Sequence, residues 1–275
     1  VLNGFEITSG GYFHKKINDG TTWLYSFIYV DDSKSMNLTI RTEGKESQIG
    51  YGTLAGKIAV DGDIEGTYDS YFGIYNNNGN LTFTGSARLY IYTNQLCVYT
   101  SKKITVDECH GGVSMYAYVN GINSKDLIVK GGSQVNVSCG YSGGDDYQSA
   151  ITASRSISLY DTSEIHAVVE RRSDSTNGYI SAISSHEGTI NVYGGKLTGI
   201  CYMGGKQSDG FPECFAIRVG TLNISGGTFD SRFFKLDNGG HLTISSGTFT
   251  GNTVFYSRDT RDVIALSGGT FTSIT

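Results

Sequence analysis

Three stretches near the end of the chain share one pattern. Thr221-Leu-Asn-Ile-Ser-Gly-Gly-Thr-Phe229 is followed by His241-Leu-Thr-Ile-Ser-Ser-Gly-Thr-Phe249 and then by Val263-Ile-Ala-Leu-Ser-Gly-Gly-Thr-Phe271. Each is a short strand of alternating apolar and polar residues, a Gly turn and the start of a second strand. A unit that recurs must be met by the same local structure each time, so it constrains the fold more than any single residue does.

Weaker copies run back to the N-terminus. Their first apolar positions are Phe5, Leu38, Ile58, Leu81, Ile104, Leu127, Ile157, Ile190, Leu222, Leu242 and Ile264. Three successive spacings are 23, from Ile58 to Leu127, and spacings near 30 fit one coil carrying a loop insertion. A period just above 20 with two or three short strands predicts an all-β parallel solenoid of about eleven coils, a single domain over residues 1–275. At about 4.8 Å per coil the rod is roughly 50 Å long. The composition agrees. Among 275 residues there are 38 Gly and a single Pro, which excludes collagen and disordered linkers. Gly suits the corners, where tight turns need positive φ. Pro is scarce because interior coils must donate N–H bonds to their neighbours.

Residues 12–36 read as an N-terminal insertion that caps the solenoid, with Trp23 to Val30 as its apolar stretch. No segment is long and apolar enough for a membrane span, and no basic stripe suits nucleic acid. The chain shows no initiator Met and no signal peptide, as expected of a mature or excised piece. It stops within a coil, four residues after Phe271, so either further chain or another copy stacked end to end is expected there. Of five Cys, Cys201 and Cys214 flank a Gly-rich excursion that a disulfide would close, whereas Cys97 and Cys109 read as small buried hydrophobes.

The Gly-Gly-Thr-Phe repeats resemble those of right-handed parallel β-helix proteins of bacterial cell surfaces. These include adhesin-like and autotransporter-passenger-like repeats and non-catalytic polysaccharide-binding β-helices. The wider fold is shared with pectate lyases and polygalacturonases. The resemblance spans the whole chain and implies a right-handed, single-stranded β-helix that is secreted or attached to the cell surface, with polysaccharide or surface glycan as partner.

The candidate sites follow from strand alternation. In Leu89-Tyr90-Ile91-Tyr92 and Met115-Tyr116-Ala117-Tyr118 the aliphatics point inward. Tyr90, Tyr92, Tyr116 and Tyr118 therefore form an outward face suited to sugar rings and hydroxyls. Asp61, Asp63 and Glu65 alternate on one strand face, a pattern hard cations such as Ca²⁺ favour, although a solvated acidic strip has the same pattern. Asp107 sits at the same repeat offset as Asp61. No catalytic residue is assigned. For an enzyme of the pectin-degrading type the best residues are Asp145, Asp146 and His186. Gly144-Asp145-Asp146 resembles the paired Asp of polygalacturonases, but the Asn-Thr-Asp and Arg-Ile-Lys motifs are missing. Asn37, Asn80, Asn136 and Asn223 match the N-glycosylation pattern, three of them at strand starts.

Overall fold

The computed structural model describes residues 6–7, 13–16, 23–30, 33–50, 70–93, 95–141, 148–171, 180–203, 206–207, 214–231, 233–257 and 259–274. None of these is helical, and no helix among them is long and apolar enough to cross a membrane. The strands pair almost entirely in parallel, each with the strand one coil earlier and one coil later, and wind round an axis as a parallel β-helix.

Three ladders make up the walls. In the first, Leu38 pairs with Leu81, and the register continues through Ile104, Leu127, Ile157, Ile190, Leu222 and Leu242 to Ile264. These are positions the repeat selects, in the expected register. Two expected rungs are absent from the described part of this ladder. Leu38 pairs directly with Leu81, and Ile58, like Phe5, lies outside the described residues. The strand Glu6–Ile7 pairs with Ser47–Gly50, in the second ladder. The first ladder therefore has nine described rungs rather than eleven. One step of this ladder, from Leu38 to Leu81, spans 43 positions of the sequence, where spacings of 20 and then 23 are expected.

The second ladder runs from Ile7 through Ile49, Ile91, Met115, Val137 and Ala167 to Gly199. The third runs from Ile28 through Ile74, Val98, Ile122, Ile151, Ile183 and Ile217 to Phe234. Inward residues of all three walls meet in one continuous core, in which Ile49, Ile91, Val98 and Ile104 are fully buried. Each such side chain contributes about 1.5–3 kcal/mol by leaving water. Trp23–Val30 is itself a rung of the third ladder, and Phe13–Lys16 lies antiparallel along it. Second-ladder strands that end at Gly50, Tyr141, Arg171 and Met203 are each followed along the chain by a third-ladder strand, beginning at Ser70, Gln148, Ile180 and Cys214.

The Gly-Gly-Thr-Phe motif has a local cause. Its second Gly has φ of 89° at Gly227, 127° at Gly247 and 110° at Gly269, a region costly for any side chain. The preceding position tolerates Ser246 in place of Gly. The Phe that follows turns inward, so Phe229, Phe249 and Phe271 stack rung on rung, with centroids 4.7 and 4.5 Å apart. At the last described rung Val263, Ile264 and Leu266 are each 47% exposed.

Candidate functional site

The outward positions of the second ladder carry the aromatic face. Leu89, Ile91, Val113 and Met115 are fully buried, which turns Tyr90, Tyr92, Ser114 and Tyr116 outward. The register sets Tyr116 directly on Tyr92. Their rings stack at 5.0 Å and 11°, and the Tyr90 ring lies beside Tyr92 at 6.1 Å and 13°. Each contact of this kind contributes about 0.5–1.5 kcal/mol beyond the area it buries. The three expected rings thus come together, but not as a uniformly open face. Tyr92, in the middle, is only 6% exposed, while Tyr90 and Tyr116 are half-buried. Burial pushes the Tyr92 phenol up, and Tyr116, Tyr90 and Glu46 add to this, so it stays protonated as a donor. Tyr118 lies one residue beyond the end of Val113–Ala117.

The same two outward columns continue up the wall with different chemistry. Ser114 is followed by Asn136 and His166, and Tyr116 by Ser138 and Val168. Together with Arg88 and Gln134 they line a groove of about 410 Å³. Burial lowers the His166 pKa first and Lys196 adds to this, against Asp230 and Glu164. The ring is thus neutral at neutral pH and presents one donor and one acceptor nitrogen. Arg88 Nε donates to the Gly111 carbonyl at 3.0 Å, which ties its head to the neighbouring coil. Amide, hydroxyl and imidazole groups beside a stacked aromatic rim form a surface that can hydrogen-bond a polyol and hold an apolar ring face.

A second stack stands on the third ladder. Tyr29, Tyr75 and Tyr99 occupy one outward column of the third ladder, with centroids 5.5 and 5.0 Å apart. Phe72 meets Tyr75 and Tyr99 edge-on. Tyr29 falls in the stretch read as a cap. Its partners become visible only once the rungs are aligned.

The acidic candidates fare differently. Asp61, Asp63 and Glu65, and likewise Asp145 and Asp146, lie outside the described residues. Among the described residues no group of three or more His, Cys, Asp or Glu side chains could hold a metal ion. Asp107, set at the Asp61 offset, is answered by Lys130 on the next rung, with Nζ 2.8 Å from Oδ2. His186 is half-exposed on the third ladder, with Nδ1 2.6 Å from Asp237 Oδ2. Its partner is therefore a carboxylate two coils on. Asp126 is bound by Arg155, whose Nε donates at 2.8 Å, and by the Ser156 hydroxyl at 2.6 Å. The Cys201–Cys214 disulfide is present, with Cα atoms 5.9 Å apart. Cys97, Cys109 and Cys139 are buried thiols. Burial pushes Cys97 up to about 12 and Cys109 up to about 11, so both are unreactive.

Compared with known protein families, the sequence matches no family model. It matches no curated protein and no solved structure.

Proposed function

We propose that the chain is a non-catalytic, extracellular β-helix that binds glycan through the second ladder, in the manner of adhesin-like or polysaccharide-binding repeats. The observation that carries this reading is the near-parallel stack of Tyr90, Tyr92 and Tyr116, with a polar groove lined in part by Tyr116. An outward tyrosine ring can hold the C–H face of a sugar, and Asn136, Ser138 and His166 offer the directional bonds that fix a hydroxyl pattern. The Cys201–Cys214 disulfide is consistent with an oxidising, secreted setting.

A glycan array with the intact chain, followed by calorimetry on the best ligand, tests this. Tyr116→Ala is expected to weaken binding about tenfold, the loss of one ring contact. Asn136→Ala is expected to weaken it about fivefold through one lost hydrogen bond. Unchanged affinity in both variants would overturn the proposal. So would release of new reducing ends or unsaturated uronates from any polysaccharide, which would make the chain an enzyme.

A further inference from the structure

The groove on the second ladder holds a cation that the tyrosine reading does not use. Arg41, Arg155, Arg218 and Arg261 each ion-pair with a carboxylate, Glu43, Asp126, Asp237 and Asp259 in turn. Asp237 also meets Lys235 and His186, so that cluster is closed on itself. Half-buried Arg88 has no carboxylate partner among the described residues. Its Nε bond to the Gly111 carbonyl is its one side-chain hydrogen bond among them. That bond engages one of five N–H donors and leaves the terminal Nη1/Nη2 fork.

The ladder register explains why the fork is left over. Arg88 precedes Leu89, Gly112 precedes Val113 and Gln134 precedes Val135, so the three stand on successive rungs of one column. Gly112 puts no side chain between the other two, and its φ of 84° favours glycine there. The Arg88 head crosses to the rung of Gly111 and so leans toward Gln134. It leans away from Glu46, which precedes Ser47 on the rung before. Glu164 lies one rung beyond Gln134. No carboxylate among the described residues lines the groove. Its other polar side chains, Gln134, Asn136, Ser138 and His166, make no side-chain hydrogen bond among the described residues. Outward amides elsewhere do, since Asn223 donates to Asn191 at 3.0 Å on the first ladder. A groove of unused donors, with a guanidinium and no fixed negative charge, complements an anion.

We propose that this groove takes a uronate unit of an acidic glycan, whose carboxylate is held by the Nη1/Nη2 fork of Arg88. The proposal rests on the preceding reading for the groove and the glycan, and adds the charge of the ligand. A carboxylate offers two coplanar oxygens, which a guanidinium fork meets with two parallel bonds and a lysine ammonium cannot. His166 is neutral at neutral pH, so the charge the groove offers is that of Arg88.

Calorimetry on the intact chain compares an oligouronate with its carboxyl-reduced, neutral counterpart and with a sulfated oligosaccharide of the same length. The oligouronate is expected to bind about twentyfold tighter than the neutral counterpart, a preference that shrinks at high salt. Arg88→Gln is expected to bring the two affinities to within about twofold. Arg88→Lys keeps the charge, loses the fork and is expected to leave a preference of about fivefold. The preference is a ratio within one preparation, so a loss of folded protein does not move it, and Arg88→Lys serves if Arg88→Gln fails to fold. Equal affinities in the unaltered protein, tighter binding of the sulfated oligosaccharide than of the oligouronate, or full preference in Arg88→Gln would each overturn the proposal. Binding of a neutral glycan that weakens in Tyr116→Ala would survive any of these, and the preceding reading with it. A uronate preference that depends on Arg88, with affinity unchanged in Tyr116→Ala and Asn136→Ala, would end the preceding reading and support the assignment of Arg88 to the carboxylate.

Discussion

Two stacks of aromatic rings in different coils of the rod have nearly the same internal geometry. Tyr92 and Tyr116 stack outside the wall at 5.0 Å and 11°. Phe249 and Phe271 stack inside it at 4.5 Å and 12°. Parallel in-register pairing produces both, because it sets each residue on its counterpart one rung away. What separates core from candidate site is only the parity of the position. One residue's shift along the strand would exchange them. Stacking geometry by itself therefore says nothing about function here, and the neighbours of each stack do. Phe249 is enclosed by Phe234 and Phe255, whereas Tyr116 borders Asn136 and Ser138.

This contrast is open to direct tests. The largest effect is expected for Phe249→Ala. The ring is fully buried between two others, and its loss costs about 3–5 kcal/mol, read from the urea midpoint. Next comes Gly247→Ala, expected to cost about 1–2 kcal/mol because φ there is 127°, while Ser246→Gly at the neighbouring position stays within about 0.5 kcal/mol. Tyr116→Ala is expected to cost about 1 kcal/mol of stability while weakening ligand binding about tenfold. A stability loss as large as that of Phe249→Ala would make the outer stack structural and end the distinction.

The smallest effect concerns Asp126, an outward contact made of charge instead of rings. Burial pushes its carboxyl up, but the Arg155 and Ser156 hydrogen bonds outweigh this and hold it below the usual carboxylate range. Its contribution is thus fully present above the unfolded value of about 3.9 and is lost as pH falls through the lower folded value. Urea midpoints compared at pH 5 and pH 2 should fall less in Asp126→Asn than in the unaltered chain. An equal fall in both would remove the role assigned to this pair.

Much of the architecture was legible because period-2 alternation and the Gly turn are local properties. Leu81, Ile104 and Leu127 could be placed from spacing alone. The direct pairing of Leu38 with Leu81 could not, since strand-like chemistry does not say which strand is the partner. Tyr90, Tyr92 and Tyr116 were legible for the same local reason. The His186 cluster was not, because it joins residues 51 positions apart and its lysine and aspartate look like ordinary strand polars. Phe234-Lys235-Leu236-Asp237 does alternate, so the signal was there, but only the alignment of rungs brings it beside Arg218 and His186.

The rung-by-rung pairing also shapes how the chain reaches this structure. Leu38 and Leu81 are 43 residues apart and Leu222 and Leu242 only 20, yet each pair is one step along the axis. No ladder contact closes a longer loop than one coil, so the entropic cost of closure is met in small, nearly equal instalments. Such a chain can nucleate at any well-packed pair of coils and zip in both directions, and it frays from its ends under heat or force. Damage at one coil then propagates to its two neighbours and fades, which lets the tyrosine wall and the His186 cluster change independently of each other.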